Sequence, residues 1–313
     1  MNVAAFIEYL NKTKGLQIDA SYYAKIEKWR QWWQGYVPSV HNIKITREDG
    51  EHKRRRASLR MPKRVCEDWA NLLLNDKTTF QIGDAATAAY LLGSNEQQTG
   101  GLLRQLHFWE NANKLVEKAY WSGTGAFVLS VEGIKGTDGQ LEADPDARIV
   151  LDYDPASCIL PISVERGVVT EAAFVSECLI DGRPCAYLQT HTVRDGSRTI
   201  TNEWFEIGQG QDGAPVFTPR KAPVGTVTEL QPEGSPPWFS LFSPAAEKNI
   251  DGGTGLGMAV FAEALDTAQG VDLAFDNYRQ DLYLGGKKIF YDRSLCKVVI
   301  GADGSRRPSG LRK

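Results

Sequence analysis

Only a few groups of residues have the types and spacing to do chemistry. Gly253-Thr-Gly255-Leu-Gly257 precedes a helical pattern, the setting in which backbone N–H groups cradle a phosphate. No Lys-Ser/Thr pair follows these glycines, and SPAAEKNID before them does not read as a buried strand. They read as a hinge at a helix start, and Gly123-Thr-Gly125 reads as a helix stop. Asp152-Tyr-Asp154-Pro offers two carboxylates to a cation, but at a strand end the pair reads as a turn. His41, His52, His107 and His191 lack the HxxxH and HExxH spacings of a zinc site, and no GxSxG nucleophile elbow occurs. The expectation is a protein that is not an enzyme, with no catalytic residue, no metal and no cofactor.

Composition sets the remaining bounds. The chain has 313 residues, 42% hydrophobic, with a net charge of −3, so bulk charge does not announce a nucleic-acid binder. Cys66, Cys158, Cys178, Cys185 and Cys296 are odd in number and show no CxxC spacing, which favours reduced thiols in a cytoplasm. No apolar run reaches transmembrane length, and the N-terminus lacks the order of a signal peptide.

The elements that must position any function follow from periodicity. Helices are predicted at 2–12, 20–34, 61–75 and 101–121. Trp29, Trp32, Trp33 and Tyr36 form an aromatic knot that reads as packing. Between 126 and 207, alternating runs separated by Asp-Gly and Arg-Gly turns predict an antiparallel meander, followed by a Gly/Pro-rich loop over 208–237. The fold class is α+β. Lys53-Arg54-Arg55-Arg56 centres a basic stretch from 47 to 64, read mainly as a solvated face and otherwise as a contact for phosphates or an acidic neighbouring subunit.

The longest pattern runs from Gly257 to Leu284, roughly 42 Å as a helix. Phe261, Leu265, Ala268, Val271, Phe275, Tyr278 and Leu282 recur at steps of three and four, with Asp266, Gln269, Asp276, Asn277 and Gln280 opposite. Lys287 and Lys288 open a basic segment beyond it. A one-sided helix of this length calls for a partner surface.

Two stretches resemble a known family. They are IEKWRQWWQGYVPSVHNIKI (26–45) with RRASLRMPKRVCEDWANLLLNDKTTF (55–80), and GLGMAVFAEALDTAQGVDLAFDNYRQDLYLGGKKIFYD (255–292). Both are similar to portal proteins of long-tailed bacteriophages and prophages from Gram-positive hosts, and together they span about a third of the chain. The resemblance implies a homo-oligomeric ring, dodecameric in virions, at one capsid vertex. Double-stranded DNA would be packaged and ejected through it. Its implied partners are the terminase large subunit, the major capsid and scaffolding proteins and a head–tail adaptor, with assembly in the host cytoplasm and no membrane. Residues 1–250 would form the wing, 251–284 the hinge and stem helix, and 285–313 the start of an α/β clip.

On that reading Asp266, Gln269, Asp276, Asn277 and Gln280 line the tunnel, where carboxylates would repel phosphates and let DNA slide. Lys287 and Lys288 would touch DNA or the motor. Asp272 with Arg279, and Arg54, Arg55 and Arg56, would make contacts between subunits. The family continues through a second stem helix and a crown, so the chain reads as ending within the clip. The competing expectation is a cytosolic scaffold or nucleic-acid-binding protein that uses the 47–64 basic patch.

Overall fold

Leucine, tryptophan and tyrosine stripes at helical spacing dictate the first layer. In the computed structural model, which describes residues 2–47, 50–75, 77–94, 100–133, 136–137, 140–141, 147–210, 213–223, 226–232, 236–244, 247–285, 296–300 and 306–311, α1 spans Val3–Lys14 and α2 Ala20–Gln34. Asn2 and Asp19 cap their N-termini, and left-handed Gly15 and Gly35 end them. A short α3 (Pro38–His41) leads into a hairpin of β1 (Asn42–Arg47) and β2 (Gly50–Arg55). The sequence predicted a basic stretch at that point and no hairpin. α4 (Met61–Leu73) carries Pro62 in its first turn, as expected. α5 (Ala85–Leu92) was not foreseen.

The predicted helix over 101–121 is two helices, α6 (Leu102–Gln105) and α7 (Phe108–Ser122). The break falls at His107, which adopts a left-handed φ of 50° that no α-helix interior accepts. Gly123, at φ 93°, ends α7.

The β-rich part divides into two main sheets. β3 (Gly125–Glu132), β6 (Arg148–Pro155) and β13 (Phe239–Phe242) form a three-stranded antiparallel sheet, with β4 (Gly136–Thr137) and β5 (Gln140–Leu141) as a small ribbon in the β3–β6 connection. β7 (Ile159–Glu165), β8 (Val168–Ile180), β9 (Arg183–Arg194), β10 (Ser197–Gln209) and β11 (Pro215–Arg220) form a meander in sequence order, so the single meander expected over 126–207 is split: its first two strands, β3 and β6, belong to the other sheet. β12 (Glu229–Leu230) pairs with the first part of β10. The segment expected as a loop over 208–237 therefore contributes two strands, because β10 leaves hydrogen-bonding groups along one edge for β11 and β12 to satisfy.

The core sits where α1, α2 and α7 cover the sheets. Phe6 and Tyr9 pack on Phe205 and Phe217, and the Trp33 ring stacks on Trp121 at 5.5 Å. Trp29 and Trp32 are buried in this core, as the packing reading expected. After a strap of glycines comes α8 (Leu265–Leu284), then a hairpin of β14 (Cys296–Ile300) and β15 (Arg306–Leu311). The architecture is α+β: N-terminal helices, an antiparallel meander and a long C-terminal helix.

Candidate functional site: the seat of the long helix

The strap that delivers α8 explains the glycines. Lys25 Nζ donates to Asp251 O at 2.7 Å, and Lys248 Nζ to Gly252 O at 2.6 Å and Gly253 O at 3.0 Å. Tyr22 Oη donates to Gly257 O at 2.8 Å, and Gly257 N–H donates to Thr124 Oγ1 at 2.9 Å. A Cβ at Gly253 would lie 2.3 Å from the Tyr22 ring, and one at Gly257 2.4 Å from Gly123 O. Both glycine motifs are thus used in one close backbone crossing. Gly253 N–H points at the Asp19 carboxylate at 3.3 Å. That carboxyl is held below the usual range, first by the Ser21 hydroxyl, so the strap presents a negative group where a phosphate loop needs a positive field.

The helix does not begin at Gly257. Leu256, Met258, Ala259 and Phe261 plug into the core, a short 3-10 turn over Ala262–Ala264 follows, and α8 starts at Leu265.

The surface of α8 divides into three arcs. The first faces the body, through Leu265, Ala268, Asp272, Phe275 and Asp276. The second, about 100° round, is apolar and open: Val271, Ala274, Tyr278 and Leu282 are exposed, Tyr278 by 60% and Leu282 by 61%. The third is open and mostly polar, with Asp266, Gln269 and Asn277 exposed, Gln280 partly so, and Leu273 exposed among them. The single apolar face expected from periodicity is therefore split, with one flank seated on the protein's own body and the other bare.

The two buried residues of α8 are both carboxylates. Asp272, 3% exposed, accepts the Leu59 N–H at 2.8 Å on one oxygen and meets His41 Nε2 at 3.1 Å on the other. His41 is itself fully buried, its Nδ1 2.8 Å from Val37 N. Asp276, 2% exposed, is held by both Arg54 Nη atoms at 2.8 and 2.6 Å and by Ala57 N–H at 3.0 Å. This bidentate fork is the strongest geometry a guanidinium offers a carboxylate. It pushes the Asp276 carboxyl below its ordinary range, with the Arg54 hydrogen bond the largest cause.

These placements revise several expectations. Asp276, expected on an open polar face, is buried under Arg54 of its own chain. Asp272, expected to pair with Arg279 of a neighbour, pairs with His41 and Leu59 of its own chain. Arg279 lies instead 5.8 Å over the Phe275 ring. Arg55 stacks 4.3 Å over Tyr36, and Arg56 Nη1 donates to Val40 O at 2.9 Å. Arg54, Arg55 and Arg56 are thus engaged within the chain rather than forming a free basic face. Lys287 and Lys288 lie outside the described residues.

The sequence reading missed His41 and the 57–59 backbone. Its only signal was that Asp272 and Asp276 are four apart, which places them one above the other on a helix while a basic run awaits elsewhere.

Of the other candidates, Asp152 and Asp154 share one face of β6. Burial, and then the Asp152 charge, push the Asp154 carboxyl up to about 7. Among the described residues no group of three or more His, Cys, Asp or Glu could hold a metal ion, and no helix is long and apolar enough to cross a membrane. No protein-family model matches the chain, and no curated protein matches it.

Proposed function

We propose that this chain is a subunit of a phage-type portal, a homo-oligomeric ring without catalysis that conducts double-stranded DNA at a capsid vertex. The observation that carries the reading is the seat of α8. The helix is fixed to the body by a bidentate ion pair and a buried Asp272–His41 contact, yet it leaves Val271, Ala274, Tyr278 and Leu282 bare beside that seat. A rigidly held helix with an open apolar arc is suited to packing against a neighbouring copy. The resemblance of 26–45, 55–80 and 255–292 to portal proteins supplies the geometry of that packing, side by side around a tunnel.

In such a ring the polar arc of Asp266, Gln269, Asn277 and Gln280 faces the tunnel. Asp266 provides negative charge that keeps phosphates from sticking. Asp276 has a different task, which is to set the direction in which the helix leaves the body. The β14–β15 hairpin beyond α8 takes the place of the clip, where terminase would dock. Capsid, scaffolding and head–tail adaptor proteins are the further partners, in the virion and in the host cytoplasm during assembly. The competing basic-patch reading is disfavoured because Arg54, Arg55 and Arg56 are engaged within the chain.

Sedimentation velocity tests the proposal. The chain is expected to sediment as a multimer, and the double variant Tyr278→Glu with Leu282→Glu as a folded monomer. A wild-type chain that stays monomeric at high concentration, or a variant that assembles normally, would contradict it.

A further inference from the structure

A cavity of about 410 Å³ lies between the meander and the edge of the three-stranded sheet, a size within the ~300–1,000 Å³ of small-molecule sites. Its walls follow from strand register. Tyr187 pairs across from Trp204 and Gln189 from Asn202, so these four side chains share one face of β9 and β10. Trp238 and Asp152 close the opposite side.

Three features define what such a space accepts. The first is charge. Asp152 and Glu132 line the cavity, and no Lys, Arg or His does among the described residues. Glu132 is occupied by Arg148 at 2.9 and 2.5 Å, whereas among the described residues Asp152 receives only the Ser130 hydroxyl, at 3.2 Å. Desolvation by the surrounding walls raises the Asp152 carboxyl above its ordinary range, and the Glu132 charge adds to this, so a cation placed there would be held.

The second feature is aromatic surface. Tyr187 and Trp204 lie 5.1 Å apart between ring centroids, with Trp238 facing the same space. Indole faces attract cations through their quadrupole.

The third is a polar group at the wall. Gln189 is 4% exposed and lines the cavity, so its side-chain amide borders space that a ligand can enter. An amide there can both donate and accept a hydrogen bond. The Tyr187 hydroxyl, by contrast, is already committed to Asn202 Oδ1 at 2.7 Å.

We propose that this cavity binds a free small organic cation, an ammonium or guanidinium on a short apolar body. The charged head pairs with Asp152, the body lies against Trp204 and Trp238, and the Gln189 amide takes a hydrogen bond. Anions are excluded by the two carboxylates. A neutral polyol would leave Asp152 uncompensated.

N-butylguanidinium is the probe, with N-butylurea as its uncharged counterpart and glucose and inorganic phosphate as further controls. Isothermal titration in 0.15 M salt, with indole fluorescence as a second readout, is expected to show saturable N-butylguanidinium binding and none by the controls. Asp152→Asn is expected to weaken binding by about ten-fold or more. Gln189→Met is expected to weaken it several-fold, with the circular dichroism spectrum unchanged in both. Absence of saturable N-butylguanidinium binding, equal binding of N-butylurea or glucose, or full binding by Asp152→Asn would each overturn the proposal. The cavity shares no residue with α8 or its seat, so either outcome leaves the ring proposal to its own test.

Discussion

Asp276 shows how a single carboxylate changes its meaning with its partner. Buried and held by Arg54 and the Ala57 N–H, it fixes α8 to the body. Arg54→Ala leaves that carboxylate buried with one donor, and is expected to cost about 2–4 kcal/mol in urea unfolding. Arg54→Lys should cost less but more than nothing, because an ammonium cannot make the fork. The folded carboxyl lies below the ordinary aspartate value of 3.8, so its contribution is present above that value and is lost as pH falls through the lower folded one.

Asp154 has the opposite sign. Raised from 3.8 to about 7, it holds a proton in the folded chain that the unfolded chain releases. Its contribution is full below 3.8 and declines as pH rises toward 7. Asp154→Asn should therefore stabilise the protein at about pH 8, by on the order of a few kcal/mol, and change little near pH 4 when melting curves are compared. His191, buried between Phe174 and Phe239, has its pKa lowered to about 4 by that burial. Its contribution is present above 6.5 and lost as pH falls from there toward 4. The two dependences run in opposite directions over nearly the same pH window, so they largely offset each other and each is read cleanly only in its own variant.

At the scale of elements, the strap and α8 act as a unit. Gly123, at φ 93°, would place a Cβ 2.4 Å from Gly257 O, so neither backbone can yield without shifting α7 or the strap. Gly123→Ala is expected to destabilise by on the order of 3 kcal/mol or more in chemical denaturation. Gly15→Ala, with no atom within 4 Å of the added Cβ, should cost less.

This element also marks how far the sequence could be read. Helices α1, α2, α4 and α7 and the β7–β10 meander were legible, because their apolar period and turn residues agree with the final packing. The hairpin of β1 and β2 was not, since a run such as GEHKRR has no alternation to betray a strand. Nor was the inward face of α8. Periodicity assigns carboxylates to solvent unless a buried cation is known, and Arg54 lies more than 200 residues away in sequence. The same limit hid the Gln189 amide, which only the β9–β10 register brings beside Tyr187 and Trp204.

For the whole molecule, the arrangement amounts to an α+β body that fixes the direction of one long helix and leaves two of its three arcs open. In the proposed ring, neighbouring copies bury Val271, Tyr278 and Leu282, and Asp266, Gln269, Asn277 and Gln280 turn toward the axis. Arg54→Ala should then disturb assembly as well as stability, because a loosened seat lets neighbouring helices diverge, and sedimentation of the folded variant would report this as a broader distribution of sizes. The most direct measurement is electron imaging of the native oligomer with its mass determined on the same sample. The portal account predicts closed rings of many copies around a central hole. Monomers, or twofold dimers with no hole, would contradict it.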